Sequence, residues 1–478
     1  MITVSGMRRL PIGGAVRPSP IAAPSKRHGL AIQLLLYIVC AVWTGLDIPI
    51  NQMFFESRSL GDPEVFSESN WLASGLNLLI ALSGFVLLGA SIVRRKISWV
   101  KYHGLLLICI IALGSILWSV APTFSLKRAL TFVGSIFLLI YFVEQFGADR
   151  VFQIIVSQLL IVALISFAGR IAWKQYVLMP GTHALQGVYS HKNVFGAAMA
   201  AGVLAASYLY IRYDQRKRLY ILAAAFFLFC DFLSTSGTAI VQGLIYFYVL
   251  GLYLLGAKRG VTRIVAFLGL IPLGGTIVLA AVAPDVLFGL IGKDATLTGR
   301  TDLWVYVIEF IRERPWLGWG FRAFWQSENP LAVDVWNALG WMMPESHNGI
   351  LELLLNVGYI GCAAFLYVFF GVLVTGVRNL KAGNGAIGIA ALTACLGVAF
   401  YGVSEDVLIN PDMRSIIFYL IAVSGIHEYC RTREAARGVL RRPRPVGFSG
   451  NSSVRSGRAF GGLPSPVRTS YDADISTH

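Results

Sequence analysis

Stretches of about twenty mostly apolar residues recur almost from one end of this chain to the other, and a helix of that length is what crosses the hydrocarbon core of a bilayer. They lie near 30–50, 72–93, 104–121, 127–146, 151–173, 191–211, 219–235, 238–256, 262–289, 348–377, 385–403 and 412–430. Backbone polar groups in lipid must be satisfied within the segment, so the pattern predicts an all-α polytopic membrane protein with about twelve transmembrane helices. The seventh and eighth stretches are separated only by Ser234-Thr235-Ser236-Gly237 and also read as one re-entrant element. Composition agrees, with 56% hydrophobic and 14% charged residues against roughly 45–50% apolar and 25% charged in soluble domains.

A net charge of +15 would suit a nucleic-acid partner, but the cations alternate by loop and exclude that reading. Arg94, Arg95, Lys96 and Lys101 share one side with Arg212, Arg216, Lys217 and Arg218, with Lys258, Arg259 and Arg263, with Arg378 and Lys381, and with both tails. The intervening loops hold many of the acids, among them Glu56, Asp62, Glu64, Glu68, Glu405, Asp406 and Asp412. The positive-inside rule then puts both termini in the cytoplasm and the long polar segment 290–347, between the ninth and tenth helices, on the outer side. The expected organisation is a cytoplasmic tail over 1–29, a transmembrane domain over 30–430 and a disordered basic cytoplasmic tail over 431–478, rich in Arg, Pro, Ser and Gly. The first apolar stretch reads as an uncleaved anchor. Cys40, Cys109, Cys230, Cys362, Cys395 and Cys430 all fall in or at the ends of apolar stretches without a Cys-x-x-Cys pair, which predicts packing rather than disulfides or metal.

The outward segment is where chemistry has room. Leu303, Trp304, Val307, Ile308 and Ile311 fall on one helical face, predicting an amphipathic helix at the outer membrane surface that Pro315 stops. Gly318 and Gly320 then permit a turn back toward the membrane. His347 stands just before a long apolar stretch beginning at Asn348, where the helix dipole disfavours the imidazolium and keeps the ring ready to accept a proton. It reads equally as an interfacial cap. Asn348, Glu352 and Asn356 form a polar stripe into the bilayer, facing either a substrate cavity beneath His347 or a neighbouring helix.

Arg300, at the start of the amphipathic helix, has the fork that binds two phosphate oxygens at once. Arg322 is a second candidate, whereas Arg312 and Arg314 read as solvated or snorkelling groups. A second polar cluster, Tyr189-Ser190-His191-Lys192-Asn193, sits at another outer helix mouth beyond His183. There Lys192 suits a phosphate and His191 an orienting or proton-accepting role, or both simply anchor the span. Asp231, one turn inside the membrane, is a functional suspect unless a neighbouring helix satisfies it. No outward group of acids and histidines has convincing metal-ligand spacing, and no cofactor is expected.

The ordered set Gly299-Arg300-Thr301-Asp302-Leu303-Trp304, then Glu313-Arg314-Pro315-Trp316-Leu317-Gly318-Trp319-Gly320-Phe321, then Ser346-His347-Asn348 with the following Gly-Ile-Leu-Glu run resembles the O-antigen ligase and polymerase superfamily of bacterial envelopes. The cluster His191-Lys192-Asn193 resembles its ExoQ-like exopolysaccharide-polymerase branch. The resemblance implies an inner-membrane, inverting, metal-independent glycosyltransferase that takes a glycan from an undecaprenyl diphosphate carrier on the periplasmic face. It implies that His347 activates the acceptor hydroxyl and that Arg300 faces the diphosphate. Many members carry an arginine after the Ser-x-Ser turn, where this chain has Gly237 and Thr238, and Lys192 is the expected substitute. Lipid-linked oligosaccharide and membrane lipid are the implied partners, together with a chain-length regulator and export proteins.

Two other classes share parts of this layout. A flippase for lipid-linked oligosaccharide would show repeat symmetry and paired broken helices near the midplane, and neither is visible. A metal-dependent lipid-phosphate glycosyltransferase would need acids in the first outward loop, where Asp62 and Glu64 are the only close pair. A ligase differs from a polymerase only in the acceptor.

Overall fold

A computed structural model describes residues 29–48, 71–94, 97–254, 300–406, 409–410 and 412–441. The expected ninth span, the first outward loop, the start of the long polar segment and most of both tails lie outside the described residues. The chain divides into Met1–Arg433 and Glu434–His478, and of the second unit only the helical residues 434–441 are described.

The described residues are helical apart from turns and one isolated antiparallel bridge between Leu178 and Leu185. In chain order the helices are α1 (Leu30–Trp43), α2 (Trp71–Val93), α3 (His103–Gly114), α4 (Pro122–Phe146), α5 (Ala148–Ala172), the short α6 (Lys174–Val177), α7 (Lys192–Arg212), α8 (Lys217–Ser234), α9 (Gly237–Leu254), α10 (Arg300–Glu313), α11 (Pro330–Leu339), α12 (Gly349–Lys381), α13 (Gly385–Tyr401) and α14 (Met413–Arg441). Among the described residues six segments are, by length and composition, long and apolar enough to cross a membrane: Leu72–Val93, Trp99–Trp118, Pro122–Phe146, Ala148–Ala172, Lys192–Arg212 and Gly349–Lys381. Leu30–Trp43, Gly237–Tyr253 and Gly385–Tyr401 are shorter apolar helices. The stretch expected to be one helix over 104–121 is instead α3 closed by a tighter 3-10 turn, Ser115–Trp118. The pair around Ser234 forms two separate helices turned at Thr235, whose φ of 54° is left-handed.

The Ala- and Gly-rich α7 is the central helix, packed against α5, α8, α9 and α13. Small side chains let neighbours approach closely, the usual route to helix association where lipid supplies no hydrophobic drive. One end of the bundle carries the polar segment. The opposite end gathers Lys101, Tyr102 and His427 on Glu144, and Tyr208, Arg212 and Tyr213 on Asp149.

The polar segment has a small core of its own. Leu303, Val307 and Ile311 of α10 are buried with Phe324, Trp325, Val335, Trp336 and Leu355. Burying each such side chain contributes about 1.5–3 kcal/mol, so this face is used against protein. The expectation that it lies on the membrane surface is corrected here: helical periodicity reveals an apolar face but not what covers it. Ile308, expected on the same face, remains 38% exposed.

Pro315 ends α10 as expected, and the turn that follows docks into a break in α12. Gly358 interrupts that helix with φ 62° and ψ −167°. Across the break the Trp319 amide donates to the Leu355 carbonyl (2.8 Å) and the Gly320 amide to that of Asn356 (3.0 Å). In return the amides of Tyr359 and Ile360 donate to the carbonyls of Pro315 (2.8 Å) and Trp316 (3.2 Å). The loop thus repairs the backbone bonds that the break frees. Arg314 is exposed but not free, since its guanidinium lies 4.1 Å from the Trp319 ring centre and donates to the Trp118 carbonyl (3.2 Å).

A Cβ on Gly358 would strike the Trp316 backbone, and one on Gly318 would come within 2.6 Å of the Asn356 carbonyl carbon. Gly358→Ala is therefore expected to cost about 3 kcal/mol or more, from backbone strain and the clash together. Gly371→Ala, which meets open space, is the control. Thermal unfolding of the detergent-purified chain checks this, and a wild-type midpoint for Gly358→Ala would refute the docking.

Candidate active site

Three segments distant in sequence converge on one carboxylate, that of Glu405. It lies in the turn after α13, and its side chain is 4% exposed. Asn193, in the first turn of α7, donates through Nδ2 to Glu405 Oε1 (3.0 Å). Arg300, the first residue of α10, donates through Nη2 to the same oxygen (3.1 Å) and through Nη1 to the Ser404 carbonyl (3.0 Å). His347 Nδ1 lies 3.4 Å from the other oxygen, Oε2, and 3.7 Å from Glu345 Oε1. Burial alone would raise Glu405, but the His347 hydrogen bond and the charges of His347, Arg300 and Arg414 pull its carboxyl down to about 2. Glu345 is displaced the other way, well above the ordinary carboxylate range, by burial and then by its acidic neighbours against the pull of Arg414.

His347 is held by everything around it. Its backbone is left-handed, with φ 52°, a conformation that a non-glycine residue keeps only when its surroundings impose it. On one side the Ser346 amide donates to Glu352 Oε2 (2.8 Å). On the other, Asn348 Oδ1 caps α12 by accepting from the amides of Ile350 (3.1 Å) and Leu351 (3.0 Å), while its Nδ2 donates to the Val403 carbonyl (3.1 Å). The Gly349 amide donates to the Gly402 carbonyl (2.7 Å). The ring stacks on Trp341, with centroids 6.0 Å apart, and Trp304 Nε1 donates to the Ser346 carbonyl (2.9 Å).

Arg300, His347, Asn348 and the cluster at 191–193 are thus brought together. His191 is the N-cap of α7, its Nδ1 accepting from the Asn193 amide (3.2 Å). Desolvation lowers its pKa; Glu405 opposes that shift, and the charges of Lys192, His347 and Arg300 add to it. Lys192 is half-buried and makes no ion pair among the described residues. Glu352 belongs to a different environment. It is 3% exposed and accepts from Trp325 Nε1 (3.1 Å), the Ser346 amide and Asn356 Nδ2 (2.7 Å). The upper part of the polar stripe therefore satisfies itself and supports the His347 turn. Arg322 is not among the groups around Glu405.

The hydroxyl-rich turn does reach the site, with Thr238 Oγ1 2.8 Å from Ser404 Oγ. His183 is exposed and apart. Asp231 is fully buried, and among the described residues its carboxylate makes no hydrogen bond to a neighbouring helix. From sequence Glu405 reads only as a loop acid marking topology. The available signal was an acid pair, Glu405-Asp406, directly at a helix mouth on the cation-poor side.

The fold also makes a grouping that spacing along the chain does not reveal: ligand atoms of Glu345, His347 and Glu405 lie within 4.8 Å of one another. Such a trio is able to hold a cation. Arg300 also binds Glu405, and the charge of Arg414 acts on both acids.

The docked polar loop of this helical membrane protein thus sets a histidine and an arginine on one shared buried carboxylate at a bundle end. The O-antigen ligase family model matches residues 193–366, which include Asn193, Arg300 and His347 and stop short of Glu405. The exopolysaccharide production protein ExoQ of Rhizobium meliloti (strain 1021) is 25% identical over 299 residues, spanning 58% of this chain and 67% of that protein. Both matches support a likeness of this chain to O-antigen ligase and ExoQ-like proteins.

Proposed function

We propose that this chain polymerises exopolysaccharide repeat units by transferring a glycan from an undecaprenyl diphosphate carrier to an acceptor glycan hydroxyl on the periplasmic face. The observation that carries the reading is the single carboxylate of Glu405 tying Arg300 to His347. If Nδ1 of His347 carries the proton facing Glu405, Nε2 is left to accept one from the acceptor hydroxyl. The acceptor oxygen then bonds to the anomeric carbon while the bond to the diphosphate oxygen breaks, which inverts that carbon. The proton ends on His347 and the negative charge on the departing diphosphate.

A diphosphate is already a good leaving group, so neutralising charge matters more than donating a proton to it. Arg300 uses two of its five N–H donors on Glu405 and Ser404, leaving the rest of the fork for phosphate oxygens. Lys192 adds a mobile positive charge at the mouth of α7, in the role expected for the arginine absent at Gly237-Thr238. His191 and Asn348 act by shaping the helix mouths, and Glu352 by holding Ser346. No metal is required in this scheme.

Loss of the gene product is expected to leave single lipid-linked repeat units on the outer face, seen by extracting the carrier lipids and probing their accessibility from outside. Units trapped on the inner face would instead indicate a flippase. The family description favours a second reading, ligation of a finished glycan to another acceptor. In that case long carrier-linked chains would accumulate in place of single units.

A further inference from the structure

Among the described residues two arginines on the flank of the docked loop lack an acidic partner. Arg128 projects from the second turn of α4, and its Nη1 donates to the backbone carbonyl of Arg322. Its guanidinium rests over the Phe124 ring, 5.7 Å from the centroid. Arg322 has a left-handed backbone, φ 52°, directly after the Gly318–Gly320 turn. The Arg128 bond therefore holds Arg322 in a conformation its side chain disfavours. The acids whose charges reach Arg128 are Glu352 and Glu328. Glu352 is already committed to Trp325, Ser346 and Asn356, and Glu328 is exposed beside Ser327. Among the described residues neither arginine forms an ion pair, although each repels the other.

We propose that Arg128 and Arg322 form an oxyanion subsite distinct from the Arg300–Glu405–His347 site, taking a carboxylate or phosphate group. Two forked guanidiniums beside each other are a poor arrangement until an anion joins them, and planar bidentate oxyanions fit that fork. Phe124 supplies an apolar wall to one side. The subsite lies on the same structural unit as the proposed reaction centre, because Trp325, three residues after Arg322, binds the carboxylate of Glu352 that holds Ser346. The anion belongs either to an acidic sugar of a bound glycan or to a lipid headgroup. The inference takes its purpose from the transferase reading, but its test needs no turnover.

The experiment titrates the full-length chain in neutral detergent with three probes: a short glucuronic-acid oligosaccharide, its carboxyl-reduced form and a short-chain phosphatidate. The wild-type chain is expected to bind one of the two acidic probes and not the reduced sugar. Arg128→Gln and Arg322→Gln should each weaken that binding by about tenfold or more, the scale for losing a charge-assisted fork. Arg300→Gln should leave it within about twofold, as expected for a residue that shares no hydrogen-bond partner with the subsite. Binding of the uronate identifies a glycan and binding of the phosphatidate a lipid. Binding of neither overturns the proposal, as does wild-type affinity in Arg322→Gln or equal loss in Arg300→Gln. If Arg128→Gln does not fold, Arg322→Gln, whose side chain forms no hydrogen bond or ion pair among the described residues, decides alone.

Discussion

His347→Ala should abolish polymer while the protein still accumulates in the membrane. A positioned general base contributes on the order of 10²–10⁴ in rate, so turnover should fall by about that factor. The alanine also removes stacking on Trp341 and a contact to Glu405, but the backbone around it is held independently by Ser346, Asn348 and Gly349. His347→Gln is the sharper variant: an amide can still donate to Glu405 but cannot accept and carry a proton. Equal polymer yield from His347→Gln and wild type, measured as product per unit of folded protein, would remove the histidine from proton transfer.

The second large effect is expected at Glu405. Glu405→Ala should lower turnover by about 10²-fold or more, because both the proton acceptor and the phosphate-binding arginine lose their common support. It should also destabilise the chain by about 3 kcal/mol, the low end for breaking a buried ion pair, since the Arg300 side chain keeps 18% exposure. Glu405→Gln preserves shape and hydrogen bonding and should recover much of the stability without recovering the rate. Because Glu405→Gln keeps the hydrogen bond to Arg300 and loses mainly its effect on His347, it should cost clearly less in a His347→Gln background than alone. Additive losses in that double variant would show that the two residues act separately. Wild-type turnover in Glu405→Gln would show that the carboxylate charge has no positioning role.

Much of this architecture was legible before the structure because bilayer and helix constraints act locally. A run of twenty apolar residues, a proline after α10 and a pair of glycines beyond it each leave a mark within a short window. What joins them does not. The amides of Trp319 and Gly320 find their acceptors in Leu355 and Asn356, and nothing near either segment reports that pairing. The same holds for the Leu303, Val307 and Ile311 face, whose periodicity is equally consistent with lipid and with Trp336. In the site, Arg300, His347 and the 191–193 cluster stood out as polar groups at helix mouths. Glu405 did not, because an acid in an outward loop already had an explanation in topology. Glu352 was drawn into the expected substrate site by its place on the stripe below His347, whereas its partners are protein groups. A helical wheel gives the direction of a side chain but not the atoms it meets.

The proposed transfer of glycan from a lipid diphosphate to a sugar hydroxyl by the Arg300–Glu405–His347 grouping is tested most directly by incubating the purified full-length chain with purified lipid-linked repeat unit, with and without a metal chelator, and resolving the products by size. The expected product is a ladder of repeat lengths that is insensitive to chelator and absent with His347→Gln. Unchanged single units from the wild-type protein, or a ladder that persists in His347→Gln, would contradict it.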